Sequence, residues 1–246
     1  MALYDSIGLT YASTRQADSR VAVALAEALG DLASVVNVGA GAGSYEPDET
    51  VVAIEPSEVM IAQRPRGIAP VMRAVAEQLP LRDKCVDAAM ALLTIHHWTD
   101  LPAGIAEMRR VARERLVFLT WDRDVIARYW LLAEYLPEAG QVDYEQAVPM
   151  DILTGLVRNA EVRPLPIPHD CTDGFVAAFW RRPEAYLDPV VQAGMSLIAR
   201  ADQSQVEPGL LRLAADLETG RWQQRHAELL ELESLELGYY LVIAEP

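Results

Sequence analysis

The chain has 246 residues, 51% of them apolar, which is enough to bury a full core in one large α/β domain. A formal net charge of −15 repels phosphate backbones and anionic membrane surfaces, so nucleic acid and membrane are excluded as partners and a small-molecule substrate is expected. With only Cys85 and Cys171 and a single lysine, Lys84, there is no disulfide framework, no CxxC metal spacing, no phosphate-loop GK[ST] and no Tyr-x-x-x-Lys pair.

In chain order, Val21, Leu25 and Leu29 stand four apart and predict a helix over 17–29 that Gly30 stops. A buried strand follows over 34–38 and runs into closely spaced glycines. A second strand spans 50–54, Ser57 caps a helix running towards Gln63, and a short third strand covers 70–73. Strands are predicted again over 86–93 and 116–120, with a helix over 101–112 between them. Strands alternating with helices indicate a parallel sheet. Beyond Trp121 helices are expected over 125–135 and 149–157, then a strand over 162–167 cut by prolines. Residues 173–230 read as mostly helical, with breaks at Pro183, Pro189, Pro208 and Gly220, and 235–244 is β-rich. A helical stretch this long before the last strand predicts an insertion with its own structure, a lid over 169–234. No apolar run approaches the ~20 residues of a membrane span. The first residues lack the basic-then-apolar profile of a secretion signal, so a cytoplasmic location is expected.

The glycines form the loop Gly39-Ala40-Gly41-Ala42-Gly43. A strand that enters such a loop must turn sharply, and something must approach its backbone closely. The dinucleotide fingerprint G-x-G-x-x-G/A would put Gly or Ala where Ser44 stands, which tells against a nicotinamide cofactor. Glu55 closes the second strand, at the ligand-binding edge of an open α/β sheet, where a carboxylate can accept both hydroxyls of a ribose. A tight structural turn and a solvated acid would also fit these residues taken singly. After the third strand, Ala76-Glu77-Gln78-Leu79-Pro80 offers polar groups for an adenine edge, with Leu79 and Met60 placed to sandwich the ring.

In combination these segments resemble the class I S-adenosylmethionine-dependent methyltransferases, type 11 group. The resemblance is carried by Val35-Val36-Asn37-Val38 with the glycine loop, and by Glu55-Pro56-Ser57 with Met60. Ala76-Glu77-Gln78-Leu79-Pro80, Val86-Asp87-Ala88-Ala89 with His96-His97-Trp98, and Glu107 with Arg109-Arg110 complete it. It covers about residues 1–122, the expected cofactor-binding half of a single domain over 1–246. It implies a Rossmann-like sheet of seven strands in the order 3-2-1-4-5-7-6, the last antiparallel, with a helical insertion between the last two strands. It also implies S-adenosyl-L-methionine as cofactor and S-adenosyl-L-homocysteine as product. Leu93 and Thr94, at the end of the fourth strand, would face the methyl group.

Two departures stand out. Asn37 replaces the acid usual in the family, and only about ten residues, Pro47 among them, follow Gly39 before the second strand, fewer than a parallel crossover commonly takes. At most one turn of helix is expected there, a poor anchor for the methionine carboxylate. Tyr11 and Arg15, with Tyr4 ahead of them, are similar to Tyr and Arg that family members carry near that end of the cofactor. Arg15 is expected to pair with the carboxylate, and a surface Arg beside a packing Tyr is the alternative.

Methyl transfer needs the nucleophile on the line of attack, and a base only if that nucleophile carries a proton. His97 is the candidate base, with His96 as the spare, and packing of His-Trp against the sheet is the structural alternative. His169, Asp170, Cys171 and Asp173 match no standard metal spacing, so no metal is expected; Asp173 is read as a helix cap. Phe175, Phe179, Trp180 and Tyr186 are core residues or the wall of an apolar pocket. Together these residues predict transfer of a methyl group to oxygen, nitrogen or carbon of a small, fairly apolar molecule. A protein that binds the cofactor without transfer and a nicotinamide-dependent oxidoreductase are the alternatives. A homodimer is left open.

Overall fold

The apolar runs of the first half become five parallel strands in a computed structural model, which describes residues 15–246. They are β1 (Val35–Val38), β2 (Thr50–Ile54), β3 (Val71–Met72), β4 (Val86–Leu92) and β5 (Ala112–Trp121). With β6 (Arg158–Pro164) and β9 (Tyr239–Glu245) they form a seven-stranded sheet in the order β3-β2-β1-β4-β5-β9-β6. β9 runs antiparallel to both its neighbours, pairing Leu119 with Leu241 on one side and Val162 with Val242 on the other. As the seventh strand of this sheet in chain order, β9 gives the family's 3-2-1-4-5-7-6. A two-stranded ladder of β7 (Ile167–Pro168) and β8 (Ser234–Leu235) closes the base of the insertion.

The period-2 alternation of a strand puts a core on each side of the sheet. Along β4, Ala88 and Met90 join one cluster while Ala89 and Ala91 join the other. The first cluster is covered by α1 (Ser19–Leu29) and the C-terminal helices, the second by α3 (Leu101–Val111). α1 buries Val21, Leu25, Ala28 and Leu29. Asp18 caps its first turn, and Arg115 Nη1 donates to the carbonyls of Ala28 and Leu29 at its last. That contact, with Arg113 paired to Asp87, explains why β5 begins before its apolar run, at Ala112. α2 (Glu58–Ala62) is a short helix capped by Ser57.

After β5 the chain is helical: α4 (Arg123–Ile126), a π turn at Leu131–Tyr135, α5 (Pro137–Gln146) and α6 (Met150–Leu156). Between β7 and β8 lie α7 (Pro189–Ala193), α8 (Ser196–Arg200), α9 (Gln203–Glu218) and α10 (Arg221–Arg225). These segments share one aromatic core. Trp130 Nε1 donates to Trp180 O at 3.0 Å, and its ring meets Trp222 and Tyr186 edge-on. Tyr129 and Tyr186 share a hydroxyl hydrogen bond of 2.6 Å. Of the aromatic stripe, Trp180 and Tyr186 are fully buried. No helix among the described residues is long and apolar enough to cross a membrane.

Candidate active site

At the carboxyl ends of β1, β2 and β4 lies a cavity of about 1090 Å³. Its walls are the glycine loop, Glu55 with Pro56, Met60, the 74–78 segment and the 92–99 segment. This is the edge where open α/β sheets bind ligands. Gly39 and Gly41 have φ of +71° and +53°, left-handed values that L side chains rarely adopt. A Cβ at Gly39 would fall 2.2 Å from Thr94 Oγ1, so the loop touches the end of β4 with no room to spare. The Gly39 and Ala40 N–H groups both donate to Ile54 O, which holds the loop against β2.

Glu55 is buried and spans the loop and α2. Its Oε2 accepts from the Gly41 N–H and its Oε1 from the Ser57 N–H, both at 2.8 Å. Ser57 does not line the cavity; its Oγ accepts from the Met60 N–H and starts α2, which carries Met60 onto the wall. Leu79 also turns away: it packs in the core with α3, and its N–H donates to Glu107, so Met60 faces the cavity without it. Glu77 Oε1 accepts from Thr99 N, Thr99 Oγ1 and Asp100 N and so ties the 74–78 segment to the end of the His-Trp turn. Ala76, Gln78 and Leu93 line the wall beside it.

Between β1 and β2 the chain makes turns in place of a helix, as the short spacing and Pro47 led one to expect. This segment supplies a group that sequence reasoning missed. Glu46 is gripped by Arg64 Nη2 at 2.7 and 2.9 Å and accepts from Asn37 Nδ2 at 3.2 Å. The pair is almost fully enclosed, with 2% of the Glu46 side chain and 5% of the Arg64 side chain exposed. A carboxylate therefore does stand beside position 37, brought from nine residues downstream. Asn37 lines the cavity, and its buried Oδ1 has no hydrogen-bond partner among the described residues.

The turn Ile95–His97 places both histidines on the wall. Their rings lie 3.7 Å apart, and His96 meets Trp121 edge-on at 4.6 Å. Burial drives the His96 pKa far below the usual imidazole value, reinforced by His97 and Arg200. Burial and then Arg200 lower His97 to about 4. Both imidazoles are thus neutral at pH 7.

A family model described as a methyltransferase domain matches residues 36–119, the stretch from β1 to β5. A solved structure from Anabaena variabilis, named for a methyltransferase of an antibiotic biosynthesis pathway, is 35% identical, with a TM-score of 0.87 over 94% of this chain and 98% of that one. The chain belongs to the class I S-adenosylmethionine-dependent methyltransferases, type 11 group. Two further structures share the fold alone. One is from Bacillus halodurans (11% identity, TM-score 0.54, 93% of this chain and 99% of that). The other is from Anaeromyxobacter dehalogenans (18%, 0.51, 94% and 95%). No curated protein sequence matches the chain.

In this methyltransferase Arg15 does line the cavity, yet its guanidinium is turned to protein: Nε and Nη2 donate to the two oxygens of Asp173 at 2.6 and 3.1 Å. Tyr45 donates to the same carboxylate at 3.0 Å, and burial, then the charge of Asp173, raises its pKa. Asp18 accepts from the Thr172 N–H. Asp173, expected as a helix cap, thus locks the N-terminal segment, the glycine-loop turn and the start of the insertion together. The sequence carries no local sign of this pairing across 158 positions. Tyr11 and Tyr4 lie outside the described residues. Nearby, Asp170 pairs with Arg20, and among the described residues no group of three or more His, Cys, Asp or Glu could hold a metal.

A side chamber of about 70 Å³ opens beside His96, lined by Leu93, Trp121, Asp143, Phe175 and Tyr239 among others. Leu93, His96 and Arg15 border both spaces. Of the aromatic stripe in the insertion, Phe175 reaches this chamber. Sequence reasoning missed Asp143: on a helix face of α5 nothing marks it, and only the fold turns it inward.

Proposed function

We propose that the main cavity binds S-adenosylmethionine and that the enzyme transfers its methyl group in line to oxygen, nitrogen or carbon of a small, fairly apolar molecule. The observation that carries this is the pairing of a side-chain-free loop at Gly39 and Gly41 with the Glu55 carboxylate. Glu55 accepts a backbone N–H at each carboxylate oxygen, which fixes its carboxylate at the strand end where ribose hydroxyls would donate to it. The buried Asn37 Oδ1, without a partner among the described residues, suits the ammonium of a methionine end. Met60, Ala76 and Gln78 offer an apolar and amide surface for an adenine ring, with Pro56 beside them. With about 1090 Å³ available, the space exceeds the ~300–1,000 Å³ typical of small-molecule sites, so a second molecule fits beside the cofactor.

The cofactor supplies an electrophilic methyl group already activated by its sulfonium. What the chain contributes is placement. Leu93 and Thr94 form the floor at the end of β4, and His97, held neutral, accepts a hydrogen bond from an incoming O–H or N–H. A pKa near 4 makes His97 a weak resting place for a proton, so it orients the nucleophile more than it removes its proton. Arg15, locked to Asp173, shapes the wall by the methionine end. Residues 169–234 act as a cap over the acceptor, within a single domain, and the net charge of −15 keeps nucleic acid out.

A thermal-shift panel tests this function. S-adenosylhomocysteine should raise the melting temperature, and NAD and NADP should leave it unchanged, since only a ligand of the native state stabilises it. Stabilisation by NAD alone would overturn the assignment. For His97, replacement by Ala should lower kcat with a hydroxyl or amine acceptor and leave S-adenosylhomocysteine affinity intact. An unchanged rate removes it from the mechanism.

A further inference from the structure

Among the described residues, Asp143 is the one carboxylate on the wall of the side chamber. Its Oδ2 accepts from Trp121 Nε1 at 3.0 Å, and no other hydrogen bond or ion pair to its side chain occurs among the described residues. Around it stand Trp121, Phe175 and Tyr239, the last two with ring centroids 4.8 Å apart. The chamber's cation, Arg15, is already matched by Asp173 in a two-point contact, so it leaves Asp143 uncompensated. His96, at the mouth, is neutral.

A carboxylate held in a small aromatic enclosure, short of partners, costs free energy until something cationic or proton-donating meets it. We propose that the side chamber is the anchor site for an ammonium group of the methyl acceptor, held by Asp143 Oδ1 and by the rings of Trp121, Phe175 and Tyr239. The proposal rests on the methyltransferase reading of the main cavity. An ammonium answers both features of the chamber: it donates to the free carboxylate oxygen, and it is attracted to aromatic rings. A hydroxyl would satisfy the hydrogen bond and leave the charge unmet. A carboxylate or phosphate would bring like charges together. The small volume admits the cationic head and a few carbons, while the rest of the acceptor extends past Leu93 and His96 into the main cavity, where the methylated atom lies. The overall negative charge draws cations to this surface.

Calorimetric titrations of the full chain saturated with S-adenosylhomocysteine decide the matter, with hexylamine, 1-hexanol and hexanoate as probes at pH 7.5. Hexylammonium should bind about tenfold or more tightly than either isostere, the difference expected of a charge-assisted contact. In Asp143→Asn, which keeps an acceptor for Trp121, that preference should vanish while S-adenosylhomocysteine affinity stays as in the native chain. Phe175→Leu should weaken hexylammonium and spare hexanol, which keeps the test decisive if Asp143→Asn does not fold. Equal binding of the three probes, a preference for hexanoate, or a preference that survives both substitutions overturns the anchor site. Failure of S-adenosylhomocysteine to bind the native chain would instead overturn the cofactor reading, so the two are told apart.

Discussion

Gly39 is the residue on which the proposed cofactor site turns. With φ at +71° and Thr94 Oγ1 only 2.2 Å from where a Cβ would stand, Gly39→Ala strains the backbone and pushes the loop off β4. Strain of this kind costs about 1 kcal/mol and overpacking about 1–3 kcal/mol more. The expected result is a lower melting temperature and loss of S-adenosylhomocysteine binding by calorimetry; native-like affinity would show that the loop does not cradle the ligand. Asp143 makes a prediction of a different kind. Burial, opposed by the Trp121 N–H, raises its pKa to about 6. The native state therefore holds this proton more tightly than the unfolded chain. The stability so gained is full below the ordinary carboxylate range and is lost as pH rises through about 6. Asp143→Asn should then be more stable than the native chain by about 3 kcal/mol at pH 7.5, and nearly equal to it at pH 4. His96, the Arg15–Asp173 pair and Tyr239 face Asp143 in both proteins, so the difference between the two melting curves isolates it. A gain that is the same at both pH values would refute the buried-carboxylate reading. Neither property is visible in sequence. The glycine spacing and Glu55 are legible because their chemistry is local to one strand end and the next. Asp143 and the Arg15–Asp173 pair arise from contacts across the fold, which no spacing encodes.

At the scale of elements, the site depends on where helices are missing as much as on where they form. The turn segment after Gly43 lacks the helix that family members carry, and its Glu46, held by Arg64, stands against Asn37. Pro47 and the short spacing announce the missing helix; the return of the carboxylate through Glu46 needs the folded turn. The His-Trp turn is positioned by α3, because Trp98 lies over Gly104 so closely that a Cβ there would sit 2.4 Å from the indole. Gly104→Ala should displace Trp98 and with it His97, raising KM for the acceptor while leaving the strands intact by circular dichroism. An acceptor KM identical to that of the native chain would show that the turn is held by other contacts. In the insertion, Gly209 of α9 brings its backbone against Tyr135 O, where a Cβ would be 2.0 Å away. A backbone oxygen cannot swing aside as a side chain can. Gly209→Ala should lower the melting temperature by about 5 °C or more, on the scale of about 2–4 °C per kcal/mol for a chain of this size. A variant as stable as the native chain would mean that α9 is free to shift against the π turn.

For the whole molecule, the strand order gathers the described cofactor candidates at one edge and folds the C-terminal helices around the other side of the same cavity. The alternation of short strands and helices made the strands legible, because hydrophobic period is a local property; their order and the antiparallel last strand were implied by the family resemblance. The segment between β7 and β8 was legible only as a long helical stretch. Which of its residues face the cavity follows from the shared aromatic core of Trp130, Trp180, Tyr186 and Trp222, and that core is a tertiary fact. The central claim is that this cavity, built on the glycine loop and Glu55, is where S-adenosylmethionine binds. Calorimetric titration of S-adenosylhomocysteine into the native chain and into Glu55→Ala tests it most directly. Saturable one-to-one binding by the native chain, weakened by about tenfold or more in the variant, is the expected result, since a carboxylate that hydrogen-bonds both loop and ligand is removed. Equal affinity in the two proteins, or no binding to the native chain, would contradict it.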